Sequence, residues 1–503
     1  MIETICPDIE SLLNTIESLE RRIQSADKLH QQDVRKHSLY ERKIGELQKK
    51  LIRQEEAHKL RIRACKSEIS SLKKEIKELK GENQKLRAQI SRDYTSSSIP
   101  SSQSPNHKKI SNSRKRTGRK PGAQPGHPHH PRNRLEPGWT VDLGLPKQVT
   151  ENPDKYVLER VIRKQLVDIQ VSVICTEYVG YEYRLKGTNC LVRTEFPDGI
   201  NDDVNYGGGI KALSCLLNNY CNVSIRKVQE VLKGLTEGKL SLSVGKINGL
   251  AKEFTANSEK ELAGIYAALL KAPYQHTDAT YIRLNGKNWY VYVSADDKNV
   301  YYTLKEHKGK EGVIGTPVEE YQGTLIHDHD KILFQYGNAH QKCLAHELRY
   351  LQDSINNEPE LQWAKTMKDF LQEVIHKSKT GDISEEECSN RYDEILNLAE
   401  AEYNEHPASK YYRDGYNTYR RLRDYKQEML FFLSHPEIPP TNNRAEQMLR
   451  QIKRKAHQVG AFRSGRNTSY YCSLMSVVET AVSQKENIYD IMVEHFKKAN
   501  QVE

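Results

Sequence analysis

Paired thiols are missing from this sequence. Its nine cysteines, Cys6, Cys65, Cys175, Cys190, Cys215, Cys221, Cys343, Cys388 and Cys472, are odd in number and nowhere spaced as CxxC. That excludes a regular disulfide framework and an evident four-thiolate zinc site, and it suits a reducing compartment. Long apolar runs are also absent: nothing approaches the roughly 18 residues that cross a bilayer, and no basic segment precedes an apolar one at the start. A soluble, intracellular protein without membrane contact is expected. Helix breakers are scarce at first, with no proline between Pro7 and residue 92 and almost no glycine. What fills that stretch is a heptad of aliphatic residues: Ile9, Leu12, Ile16, Leu19 and Ile23, then Ile62, Ile69, Leu72, Ile76, Leu79, Leu86 and Ile90. Residues 1–93 therefore read as a coiled coil, and Asn83 at an a position points to a fixed register and self-association. The two blocks are out of phase, so a stutter or a hairpin break is expected around residues 25–37.

Acidic residues are absent from 94–135, a stretch rich in Ser, Pro and Gly. It cannot build a core and reads as a linker or arm. Its Lys108, Lys109, Arg114, Lys115, Arg116, Arg119 and Lys120 could each neutralise a phosphate, as basic arms do along DNA. The chain-wide excess of 77 Lys and Arg over 67 Asp and Glu is modest, so this clustering matters more than the +10 total. At 503 residues several domains are expected, and 37% apolar content can supply cores for some of them. Short alternating runs over 136–205 suggest a small β-rich module. From 206 to 270 the period turns helical, with Ser224 and Ser243 standing as N-caps; three short helices there resemble either a helix-turn-helix unit or an ordinary bundle.

The richest stretch begins at Tyr274. Aromatic and β-branched residues alternate on either side of Asn285-Gly286, the strongest short hairpin signal, and a second turn at 296–299 leads into a third strand. A helix over 311–321 and a short apolar strand ending at Asp328 should follow. Three strands, helix, fourth strand is the opening order of an RNase H-like fold, in which the first and fourth strands are neighbours. Neighbouring strands lie under about 5 Å apart, so Asp278 and Asp328 can approach one ion; Asp330 is the rival for the second position. Further on, Pro439-Pro440 precedes a helix capped by Thr441 or Asn442, on which Asn442, Glu446 and Arg450 share a face and Asn443 is a supporting residue. Arg450, Lys453, Arg454, Lys455 and Arg463 make a basic run beside Glu446. Three carboxylates are the hard oxygen ligands that magnesium prefers, and paired magnesium ions can cleave phosphodiesters. Cys343 and His346, with His340 nearby, form one Cys-x-x-His pair, read either as packing at a helix start or as part of a metal site.

Arg119 to His127 (RKPGAQPGH), His276-Thr-Asp278-Ala-Thr, Gly323 to Asp328 (GTLIHD), Cys343 to Arg349 (CLAHELR), Thr441 to Glu446 (TNNRAE) and Phe462-Arg-Ser resemble, in order, the motifs of bacterial insertion sequence 66 family transposases. The resemblance implies an α+β multidomain protein: an N-terminal coiled coil (1–93), a basic arm (94–135), a small β-rich, degenerate zinc-finger-like module (136–205) and a helical DNA-binding region (206–270). An RNase H-like catalytic core (271–470), with a helical insertion at about 345–435, and a C-terminal helical segment (471–503) complete it. It implies DNA cutting and joining by catalytic Asp278, Asp328 and Glu446 holding magnesium, with manganese able to substitute. Element ends and target DNA are the implied partners, in a homo-oligomer at the bacterial nucleoid. A DNA-binding regulator with an inactive core is the alternative. Zinc is not expected, because only Cys175 and Cys190 stand where the family has CxxC pairs. Separately, Ala279 stands where the family commonly has an acidic residue after the first catalytic Asp, which removes no primary ligand.

Overall fold

The computed structural model describes residues 6–91, 126, 133–378, 381 and 383–498; the arm residues Lys108 to Lys120 lie outside them. Two units can be described, each by itself. The first is dominated by helix α1 (Cys6–Ser91). It is unbroken, which corrects the expected hairpin around 25–37. The change of phase is a stutter inside a continuous helix: Ile44, Leu47 and Leu51 still keep the register of Ile9, so the shift falls later, between Leu51 and Ile62. The seam residues Ile62, Ile69, Leu72, Ile76, Leu79, Leu86 and Ile90 are between 43% and 61% exposed.

In the second unit the β-rich expectation for 136–205 fails. Beyond α2 (Lys147–Glu151) and a 3-10 turn (Pro153–Lys155), regular structure is confined to the small antiparallel hairpin β1 (Glu182–Arg184) and β2 (Leu191–Arg193). The runs around Val157, Leu166 and Ile174 form no ladder, and those three side chains are at least 90% exposed; alternation yields a strand only where a neighbour supplies hydrogen bonds and a surface to bury one face. Next come α3 (Gly208–Cys215), which runs on into a π turn, α4 (Ile225–Leu235), α5 (Val244–Asn257) and α6 (Glu259–Lys271). Ser243 caps α5 by accepting from the Lys246 amide at 3.1 Å, whereas the Ser224 hydroxyl makes no capping bond.

A five-stranded mixed sheet follows in the spatial order β5-β4-β3-β6-β7. Strands β3 (Tyr274–Leu284), β4 (Lys287–Ala295) and β5 (Val300–Lys305) are antiparallel; β6 (Thr324–His327) and β7 (Ala339–Lys342) run parallel to β3. Asn285 and Gly286 take φ of 47° and 76°, the left-handed pair that a two-residue hairpin requires. The single helix expected over 311–321 is two short ones, α7 (Lys310–Val313) and α8 (Pro317–Glu320), interrupted at Gly315, whose φ is 70°. Helices α9 (Leu344–Asn357), α10 (Trp363–Lys377), α11 (Glu385–Glu405), α12 (Asp414–Asp424) and α13 (Lys426–Ser434) form a bundle whose core, including Trp363, Met367, Phe370, Val374, Leu422, Met429 and Phe432, extends to Tyr274 and Ile326 of the sheet.

The chain returns to the sheet through α14 (Asn443–Val459), α15 (Gly465–Ser483) and α16 (Ile488–Lys498). Val291, Val293 and Ala295 of β4 pack with residues of α14 and α15, while Tyr292 faces Val313, Val318 and Tyr321 on the other side. Helix α15 corrects the domain boundary expected at 470: it starts at Gly465 and is integral to the core. Its Ser476 and Thr480 hydroxyls accept from the amides of Tyr302 and Val300 at 2.9 and 3.0 Å, satisfying edge-strand donors that would otherwise be open to another chain. Among the described residues no helix is long and apolar enough to cross a membrane.

Candidate active site

Strand β3 carries the first acidic residue and β6 leads to the second. Their parallel register pairs His276 with Ile326; two residues further along each chain stand Asp278 and Asp328, which line one cleft. The strand stops at His327, and Asp328 then turns the chain, its Oδ1 accepting from the Asp330 amide at 3.1 Å. Burial first, and then the charge of Asp328, raises the Asp278 carboxyl well above the usual carboxylate range; Glu446 pushes the same way, and Lys453 pulls it down. Asp330 lines the same cleft with Thr277, Lys308 and Gly309. Its Oδ2 is engaged by Lys308 Nζ at 3.2 Å.

Glu446 is brought in by the first turn of α14, and Asn442 anchors that turn. The side chain of Asn442 does not cap the helix. It is wholly buried, and its Nδ2 donates to the Thr277 carbonyl at 2.8 Å while its Oδ1 accepts from His276 Nδ1 at 3.0 Å. The amide orientation fixes the tautomer, since only a protonated Nδ1 can serve that oxygen; burial drives the His276 pKa down to about 4. Arg444 donates to the Asp296 carbonyl at 3.1 Å, tying the same turn to the β4–β5 connection. Asn443 is exposed.

The CLAHELR segment surrounds Glu446 from the other side. Cys343 stands at the N-cap of α9, buried, and its Sγ accepts from the Asn442 amide at 3.1 Å. Three residues apart on one helical face, His346 Nδ1 lies 3.8 Å from Glu446 Oε1 and Arg349 lies 3.5 Å from Oε2. Arg450 reaches Oε2 at 3.7 Å from the next turn of α14. Glu347 points the opposite way, buried between Lys342 at 3.3 Å and Arg421 at 3.4 Å, and so fastens α9 to β7 and α12. His340 takes no part: it faces His327 Nε2 at 3.2 Å.

The three carboxylates are therefore neighbours in charge, though among the described residues the trio whose ligand atoms all lie within 4.8 Å is Cys343, His346 and Glu446. Ligands spread over two ions roughly 3.5–4 Å apart need not be that tight. One of the basic residues named from the sequence must be withdrawn. Lys455 is buried, its Nζ donates to the Asn218 carbonyl at 2.6 Å, and burial lowers its pKa to about 8. Its place on the inner face of an amphipathic helix, beside Ile452, decided this. Arg450, Arg454 and Arg463 are exposed, and Lys453 is partly so. Sequence reasoning missed Lys308, which carries no motif, and Arg349, whose spacing from His346 could have revealed it. In the helical middle, Lys211 and Lys246 both pair with Glu253 at 2.6 and 3.2 Å, and α3 and α5 share a core with α15 and α16. A lone recognition helix would instead keep its cations and one face free.

A family model described as Transposase IS66 family matches residues 216–468, about half of the chain, a span that takes in all three carboxylates. No curated protein matches.

Proposed function

The chain belongs to the IS66 family of transposases, and on that premise we propose that it cuts DNA at the ends of its element and joins the freed 3′ hydroxyls to target DNA, using Asp278, Asp328 and Glu446. The observation that carries the reading is that Asp278 of β3 and Asp328, just past the end of the neighbouring β6, line one cleft, with Glu446 acting on the charge of the first. The strand order β5-β4-β3-β6-β7, interrupted by a helical insertion before α14, is what we read as an RNase H-like core.

The donor set fits a hard divalent cation, magnesium or manganese. It consists of carboxylate oxygens, and on Asp278 burial and the like charge of Asp328 oppose ionisation, which a divalent cation would relieve. Bound there, such ions activate the attacking oxygen and stabilise the leaving one. The protein's own share is positional. Asn442 fixes the start of α14 against β3; Arg349 and Arg450 hold one oxygen of Glu446. Lys308, at the cleft wall, offers a cation for a phosphate oxygen.

Self-association through the exposed seam of α1 belongs to the same reading, since transposition handles two ends together. The test is Glu446→Gln with DNA carrying element ends and magnesium or manganese, followed by strand mapping. Cutting should fall at least about 100-fold while end binding persists. Undiminished cutting would sink the assignment, and binding without cutting by the unaltered chain would favour a regulator.

A further inference from the structure

Cys343, His346 and Glu446 offer a sulfur, a nitrogen and an oxygen within 4.8 Å of one another. Cys343 is 1% exposed and His346 8%, so the group is screened from solvent. His346 Nδ1 and Glu446 Oε1 are both buried, and neither has a hydrogen-bond partner. Leaving such atoms unmet is unfavourable, and a cation between them would satisfy both. The other oxygen of Glu446 is held by Arg349 and Arg450, which leaves Oε1 facing the imidazole and the thiol.

This is not a magnesium set, because magnesium seeks oxygens in octahedral order and keeps its waters. A thiolate and an imidazole select ions of the zinc class, which accept one Cys, one His and one carboxylate in a tetrahedron with water as the fourth ligand. At the usual bond lengths of about 2.0–2.3 Å, ligand atoms of such a tetrahedron stand roughly 3.5 Å apart. Side-chain closure by about 1 Å completes it. We propose that Cys343, His346 and Glu446 bind a thiophilic divalent cation of the zinc class, at a site separate from Asp278 and Asp328 but sharing the third carboxylate. Binding releases the thiol proton to solvent and forms the metal–sulfur bond in its place.

Cobalt(II) is the probe, added to the full, reduced chain without magnesium. One equivalent should bind with a sulfur-to-cobalt charge-transfer absorption and the intense visible bands of a four-coordinate ion. Cys343→Ser should remove the charge-transfer absorption. Glu446→Gln, a change at the rim of the buried core, should weaken the cobalt affinity read from that absorption at least tenfold, and Asp278→Asn should leave the charge-transfer absorption in place. No charge-transfer absorption, its survival in Cys343→Ser, or undiminished affinity in Glu446→Gln overturns the proposal. The readout is metal binding, so the site stands or falls independently of DNA cleavage.

Discussion

Asp278 gathers the opposing demands of the site into one side chain. Its pKa is raised in the fold, so between the ordinary Asp value and the raised one the folded state holds a proton that the unfolded state has released. Stability contributed by this group is therefore full at low pH and is lost as pH rises through that window. Asp278→Asn should accordingly stabilise the metal-free protein at neutral pH by roughly 1 kcal/mol or more and abolish stabilisation by magnesium. Thermal unfolding with and without the ion reads both, and a destabilised variant would contradict the argument. Asn442 and Glu446 were legible as neighbours from their i, i+4 spacing. That the Asn442 amide joins α14 to β3 instead of capping its own helix was not legible, because its partners His276 and Thr277 lie about 165 positions away in the chain.

At the scale of elements, the long helix and the sheet were legible for different reasons. Heptads and hairpin turns are local signals: α1 and the β3–β4 turn follow from spacings of a few residues. The phase shift in α1 falls after Leu51 and not at the polar stretch 25–37, because Ile44, Leu47 and Leu51 carry the register of Ile9 past that stretch. The exposed seam yields a prediction: Ile69→Asp with Ile76→Asp in the full chain should reduce the molar mass in light scattering to that of one chain, since charges at core positions oppose coiled-coil pairing. An unaltered mass would remove the coiled coil from the assembly. The runs of 136–205 give strands only at β1 and β2, because alternation signals a strand when a partner strand and a buried face exist, and the runs around Val157, Leu166 and Ile174 have neither.

For the whole molecule, buried histidines set the response to acid. Burial first of all lowers the pKa of His276 to about 4 and those of His327 and His329 to about 3, and His340 is lowered too. All are neutral in the fold and able to take protons once unfolded, so their contribution is complete above about pH 6.5 and is lost as pH falls through the folded values. Each fully buried histidine adds up to about 1.4 kcal/mol per pH unit, with His329, partly exposed, adding less. The raised carboxyls of Asp278 and Glu358 act in the opposite direction over pH 7 to 5, so the histidines are read one at a time: His276→Asn should flatten the fall in stability between pH 6 and 4 in denaturant unfolding, and an unchanged slope would mean the ring is not held neutral. The sequence by itself determined the helix of α1, the hairpin at Asn285-Gly286, the acidic motifs and the family, because each is written in spacings shorter than one element. Only the tertiary structure decided that Lys455 faces inward, that α15 closes the sheet edge, and that Cys343 and His346 turn toward Glu446. Those outcomes depend on which distant surfaces meet, and burial and charge act only once they have met.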